Sequence, residues 1–134
     1  MNSRLINIAL LFLRLAGCSL LLSVHGLPKL MNFSHELTVI EDPFNMGAPI
    51  TLSLAIFAEI VCPILIGIGL FTRIATLPIL VVLLVSLVLV HPQWSLTEGQ
   101  FAWLLLILFT TIAIAGPGRY AVKTPMGARY AVCE

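Results

Sequence analysis

Hydrophobic residues fall into four long runs, and the charged positions between them are few and clustered. The first run extends from Leu5 to Val24 with Arg14 as its one charge, and the second from Pro49 to Leu70 with Glu59 as its one charge. The third, Ile74 to Val90, and the fourth, Gly99 to Gly116, carry none. Each run is about 17–22 residues long, and a hydrocarbon layer near 30 Å needs roughly 20 helical residues to cross it. None shows the strict alternation of a barrel strand, so helices are the spanning form that remains. The pattern predicts an all-α membrane protein: a single domain, residues 1–134, with four transmembrane helices at about 5–25, 49–71, 74–91 and 99–116. An outer loop at 26–48 and a tail at 117–134 complete it. Short connections at Phe71-Thr72-Arg73 and His91–Glu98 make neighbouring spans antiparallel, which gives an up-down bundle.

Composition agrees. Hydrophobic residues make up 60% of the 134 and charged residues 10%, against roughly 45–50% and about 25% in soluble domains. A water-soluble fold of this size has too little interior for so much apolar side chain. The first run also has the form of a leader, and Leu15-Ala16-Gly17-Cys18 matches a lipoprotein cleavage pattern. Arg14 would interrupt that leader's apolar core, however, and the mature chain would begin Ser19-Leu20-Leu21-Leu22, so the run is read as a retained helix.

Charge then orients the bundle. Arg4, Arg73, Arg119, Lys123 and Arg129 all fall on one side of a four-span arrangement, whereas the other receives only Lys29 with Glu36, Glu41, Asp42 and Glu98. Basic residues in short loops mark the cytoplasmic face, so both termini are predicted there. A net charge of +1 without a basic cluster excludes a nucleic-acid partner.

Two buried polar features carry the candidate chemistry. Arg14 lies about nine residues into the first span and Glu59 about eleven from the inner end of the second, roughly 14 and 17 Å deep at the helical rise. Charges at such depth pair inside a bundle, so an Arg14–Glu59 ion pair is expected. It reads equally as a structural lock or as an anion, proton or headgroup site. Cys18 and Cys62 flank it at the helical spacing of one face. They read first as small apolar fillers and second as redox thiols. Pro63 removes the donor for the Glu59 carbonyl and predicts a kink there. At the outer ends, His25, His91 and Glu98, with Lys29 nearby, form a second polar cluster. It would serve proton transfer, metal binding or a hydrogen bond to a quinone carbonyl, or else simply meet the interface beside Trp94 and Trp103. No metal site is assigned, because the cysteines show neither CxxC nor other ligand spacing, and Cys133 lies in the tail. No Ser–His–Asp set, phosphate loop, haem motif or flavin fingerprint is written.

Several short segments, in order, resemble the DoxX family of small bacterial inner-membrane proteins. They are Leu11-Phe12-Leu13-Arg14, His25-Gly26-Leu27-Pro28-Lys29, Gly47-Ala48-Pro49, Glu59, Gly69-Leu70-Phe71-Thr72-Arg73, Val90-His91 and Gly116-Pro117-Gly118-Arg119-Tyr120. The family often continues the last motif as Ser-Leu-Asp, where this chain has Ala121-Val122-Lys123. The resemblance implies a four-helix bundle in the inner membrane. It also implies a role in membrane redox chemistry, as an accessory subunit of a quinone-linked oxidoreductase or alongside a soluble redox partner. It singles out Arg14, His25, Lys29, Glu59, Arg73 and His91. The expectation that follows is a membrane subunit binding a quinone or similar lipophilic carrier at the Arg14–Glu59 site, with no other cofactor and with self-association open. The alternative is a non-enzymatic scaffold or small-molecule carrier for a partner protein.

Overall fold

A computed structural model describes residues 2–122, and among them every regular element is helical. Lys123, Arg129 and Cys133, singled out in the tail, lie outside the described residues. The long helices are α1 (Ser3–Met31), α3 (Ala48–Ile68), α4 (Thr72–Val90) and α5 (Gln100–Ala115), and a short α2 (Phe33–Val39) follows α1. By length and composition α1, α3 and α4 can each cross a membrane. The fourth apolar run yields a shorter helix of 16 residues, about 24 Å at the usual rise. Gly116 ends it at φ +80 with Pro117 behind.

The first helix differs most from expectation. It does not stop near residue 25 but continues through Pro28 to Met31, so the outer segment begins later and contains α2. Its start is capped by Asn2, whose side-chain oxygen accepts from the Arg4 amide at 3.1 Å.

One end of the bundle is solid and the other hollow. The solid end is built by Cys18 and Leu21 of α1, Cys62 and Ile66 of α3, Ala75, Ile79 and Leu83 of α4, and Leu105, Phe109 and Ile112 of α5. Helices α4 and α5 pack extensively against each other. The segment Gly116–Val122 closes this end. The Arg119 amide donates to Asn7 Oδ1 at 2.8 Å and the Val122 amide to the Ile68 carbonyl at 3.1 Å.

Helix α3 ends with every terminal carbonyl accounted for. Gly69, at φ +85, turns the chain so that its own amide reaches Ile66 O (3.0 Å) and the Leu70 amide reaches Leu65 O (2.8 Å). Gly67 O accepts from Arg14 Nη2 at 3.3 Å, and Ile68 O is taken by Val122. Only glycine fits position 69, because an added Cβ would lie 2.4 Å from the Ala121 Cβ.

Three of the helices carry one wide turn each, closed by i→i−5 hydrogen bonds: Leu22–Gly26 in α1, Phe57–Val61 in α3 and Ser86–Val90 at the end of α4. A proline stands two residues beyond each, at Pro28, Pro63 and Pro92. The proline ring removes an i→i−4 donor and crowds the carbonyl four residues back, and a widened turn relieves both. Around Glu59 the expected disturbance of α3 therefore takes the form of a π turn.

Candidate functional site: an outer cavity with a buried ion pair

The hollow end encloses a cavity of about 680 Å3. Its walls are mostly aliphatic: Leu54 and Ala55 from α3, Val81, Val82 and Val85 from α4, and Val39, Ile40 and Phe44 from the outer segment. Against this background stand His25, Lys29, Glu59, His91 and Glu98. The structure thus gathers into one chamber the outer cluster that the sequence named and the one acid of the second span. The three π turns ring it. They carry His25 and Glu59 directly and hand α4 over to His91.

Lys29 Nζ donates to Glu59 Oε2 at 2.6 Å, with the Lys29 side chain 22% exposed and Glu59 6%. This is the only ion pair among the described residues. It replaces the expected Arg14–Glu59 pair. Arg14 instead donates to the carbonyls of Gly67 (3.3 Å), in the last turn of α3, and of Pro117 and Tyr120 (2.6 Å), in the segment that follows α5. Gly67 lies eight residues beyond Glu59 along α3, about 12 Å at the helical rise. The expected pairing assumed that the apolar runs begin on one plane. In fact the opening turns of α1 run past the ends of α3 and α5, so Arg14 meets the last turn of α3 and the segment after α5 rather than mid-helix. The carbonyl end of α3, with its partial negative charge, and two carbonyls of the segment after α5 supply the acceptors a buried guanidinium needs. Its Nε is left without a partner.

Cys18 and Cys62 stay with Arg14 at the solid end. Both are free, buried in the core and away from the cavity. The site named as Arg14, Cys18, Cys62 and Glu59 therefore divides, and only Glu59 belongs to the chamber.

Each of the two cavity histidines stacks on an aromatic ring. His25 stacks on Phe101 of α5, centroids 5.5 Å apart, and His91 on Trp94 at 3.8 Å with an interplanar angle of 3°. Among the described residues no three His, Cys, Asp or Glu converge in a way that could hold a metal ion. Glu98 is engaged locally. Its carboxylate accepts from the Ser95 amide at 2.7 Å while the Ser95 hydroxyl accepts from the Glu98 amide at 3.3 Å, a reciprocal cap ahead of α5. The Ser95 amide, and after it the Ser95 hydroxyl, hold its carboxyl below the usual carboxylate range.

Two features escaped the sequence reading. Lys29 was placed in the outer cluster but not opposite Glu59; the signal was that it is the lone base among the outer acids. Asp42 was read only as an outer charge. Its carboxylate takes the Thr51 hydroxyl at 2.8 Å and the amides of Gly47 (2.7 Å) and Met46 (3.1 Å), tying the outer segment to the start of α3. Gly26 permits the α1–α3 contact beneath the pair, since a Cβ there would lie 2.3 Å from the Glu59 carbonyl oxygen.

No curated protein and no solved structure shows a significant match to this chain. The DoxX family model matches residues 9–92, a span holding Arg14, His25, Lys29, Glu59, Arg73 and His91 and ending before α5. With well over half of its length matched and three helices able to cross a bilayer, the chain is a multi-pass membrane protein that belongs to the DoxX family.

Proposed function

We propose that this protein is a membrane subunit of a bacterial inner-membrane redox system and that it binds a quinone or similar lipophilic carrier in the outer cavity. The observation that carries this reading is the Lys29–Glu59 pair set into a mostly apolar chamber of about 680 Å3. Ligand sites of this kind are concave and mostly apolar, with a few polar groups that fix the head of the ligand. The Lys29 ammonium is a donor for a quinone carbonyl, and the Glu59 carboxylate an acceptor for the hydroxyl of the reduced form. His25 and His91 line the same chamber and supply groups able to move protons. Leu54, Val81 and Phe44 line the cavity and are each more than half exposed, which supports access from the lipid side. Electrons would come from a partner protein.

The four long helices would form an up-down bundle with both ends in the cytoplasm. In support, Arg73 reaches the Ile114 carbonyl at the end of α5, and Arg119 lies against Asn7 near the start of α1. These bases and Arg4 share one end, and the acids of the outer segment the other.

Trp94 lines the cavity and Trp103 does not, so a Trp103→Phe protein in nanodiscs reports on the chamber alone. Titration with a quinone should quench Trp94 emission saturably. Glu59→Gln or Lys29→Met should weaken binding about tenfold or more, the scale of a hydrogen bond to a charged group. Quenching that never saturates in the wild-type background would refute the reading. Saturable binding of lipophilic solutes without preference for quinones would favour the carrier alternative.

A further inference from the structure

We propose that Lys29 is a carbonyl-reactive amine, and that the outer cavity takes a lipophilic aldehyde or ketone which condenses with Lys29 to an imine. The inference goes beyond quinone binding and does not depend on it. Three observations carry it. Lys29, which carries the only lysine amine among the described residues, lines a mostly apolar chamber with its side chain only 22% exposed. A carboxylate lies at 2.6 Å, close enough to take its proton. A third proton-handling group, His25, stands four residues before Lys29 in the same helix and lines the same chamber. An apolar pocket is a setting in which lysine attacks carbonyl carbon, and the carboxylate is placed to accept the proton that must leave first.

The step balances without an oxidant. Glu59 Oε2 takes one proton from the Lys29 ammonium. The free amine adds to the carbonyl carbon, forming the C–N bond as the C–O double bond opens. The oxygen receives one proton from the nitrogen and a second from Glu59, and leaves as water. The products are a protonated imine on Lys29, one water, and a Glu59 carboxylate facing the new positive charge at the distance the ammonium held. The aliphatic walls limit the water that would reverse the reaction. The other charged or titratable groups facing the chamber are Glu41, His91 and Glu98, and none is placed against the pair.

The test uses the full chain in nanodiscs, a long-chain aliphatic aldehyde and cyanoborohydride to fix any imine formed. Intact mass should rise by the aldehyde less one oxygen atom, and peptide mapping should place the adduct on Lys29 in large excess over Lys123, the chain's other lysine, and the terminal amine. Lys29→Arg keeps the positive charge and should abolish that adduct. Glu59→Gln should slow trapping about a hundredfold, the lower range for a positioned proton-transfer group. Equal labelling of Lys29, Lys123 and the terminus in the wild-type protein overturns the proposal, and that reading needs no variant to fold. Quinone titration of the same sample separates the two ideas, since Trp94 quenching persists if only the imine proposal fails.

Discussion

Lys29 and Glu59 meet at 2.6 Å across thirty residues of sequence, each one turn or less from a π turn in its own helix. The contact depends on a backbone approach beneath it. Gly26 rests on the Glu59 carbonyl, where a methyl group would intrude to 2.3 Å. Gly26→Ala should therefore part α1 from α3, destabilise the protein by about 1–3 kcal/mol as overpacking does, and weaken ligand binding through the displaced pair. Gly67→Ala is the matched control, because an added Cβ there meets nothing within 4 Å; it should be neutral or stabilising by up to about 1 kcal/mol. Thermal unfolding in detergent of the two variants decides the point, and equal effects would count against the close approach.

The pair itself should show strong coupling. Removing one partner of a largely buried ion pair leaves a charge without its counter-ion, at a cost of about 3–5 kcal/mol when burial is complete. Lys29 is about one-fifth exposed, so Lys29→Met and Glu59→Gln should each cost somewhat less than that. The double variant should recover much of the loss, giving an interaction energy of about 1–3 kcal/mol in a double-mutant cycle. Additive losses would mean the two charges do not sense each other.

Much of this architecture was legible in the sequence, and the reasons for the remainder are physical. The apolar runs announced the helices because length and hydropathy are set locally, residue by residue. The outer polar residues could be named but not paired, because α1 continues through His25 and Pro28 instead of ending there, and this brings Lys29 over Glu59. Arg14 was given the right burial and the wrong partner. Its depth was counted from the start of its own run, and nothing in that run tells how far it overhangs α3 and α5. The π turns had a visible mark in Pro28, Pro63 and Pro92, but Pro78 sits in α4 without such a turn, so proline alone does not announce one.

Arg14 provides a test that divides structure from ligand chemistry. Its guanidinium joins α1 to the carbonyl end of α3 and to the segment after α5, and lies outside the cavity. Arg14→Leu should leave buried carbonyls unpaired at about 1–3 kcal/mol each before relaxation, and Arg14→Lys should rescue only in part, since one ammonium lacks the planar fork that reaches three acceptors. Quinone affinity of the folded fraction should be unchanged in both. An Arg14→Glu/Glu59→Arg swap should fail to restore stability, whereas restoration would reinstate a direct pair.

Asp42 gives the outer segment a defined response to acid. The Thr51 hydroxyl, followed by the amides of Gly47 and Met46, stabilises its carboxylate and holds it below the usual range. A carboxyl depressed on folding contributes stability that is present above its unfolded pKa, near 3.9, and is lost as pH falls through the lower folded value. The tie between Asp42 and Thr51 should thus persist through neutral and mildly acidic conditions and release only below about pH 4. Because Phe44 and Met46 beside it line the cavity, release should speed ligand exchange as well as loosen the segment. Hydrogen exchange of the Met46 and Gly47 amides against pH measures the tie directly. Asp42→Asn should raise their exchange at neutral pH and flatten the acid response, and a wild-type profile already lost at pH 6 would show that another group controls this segment.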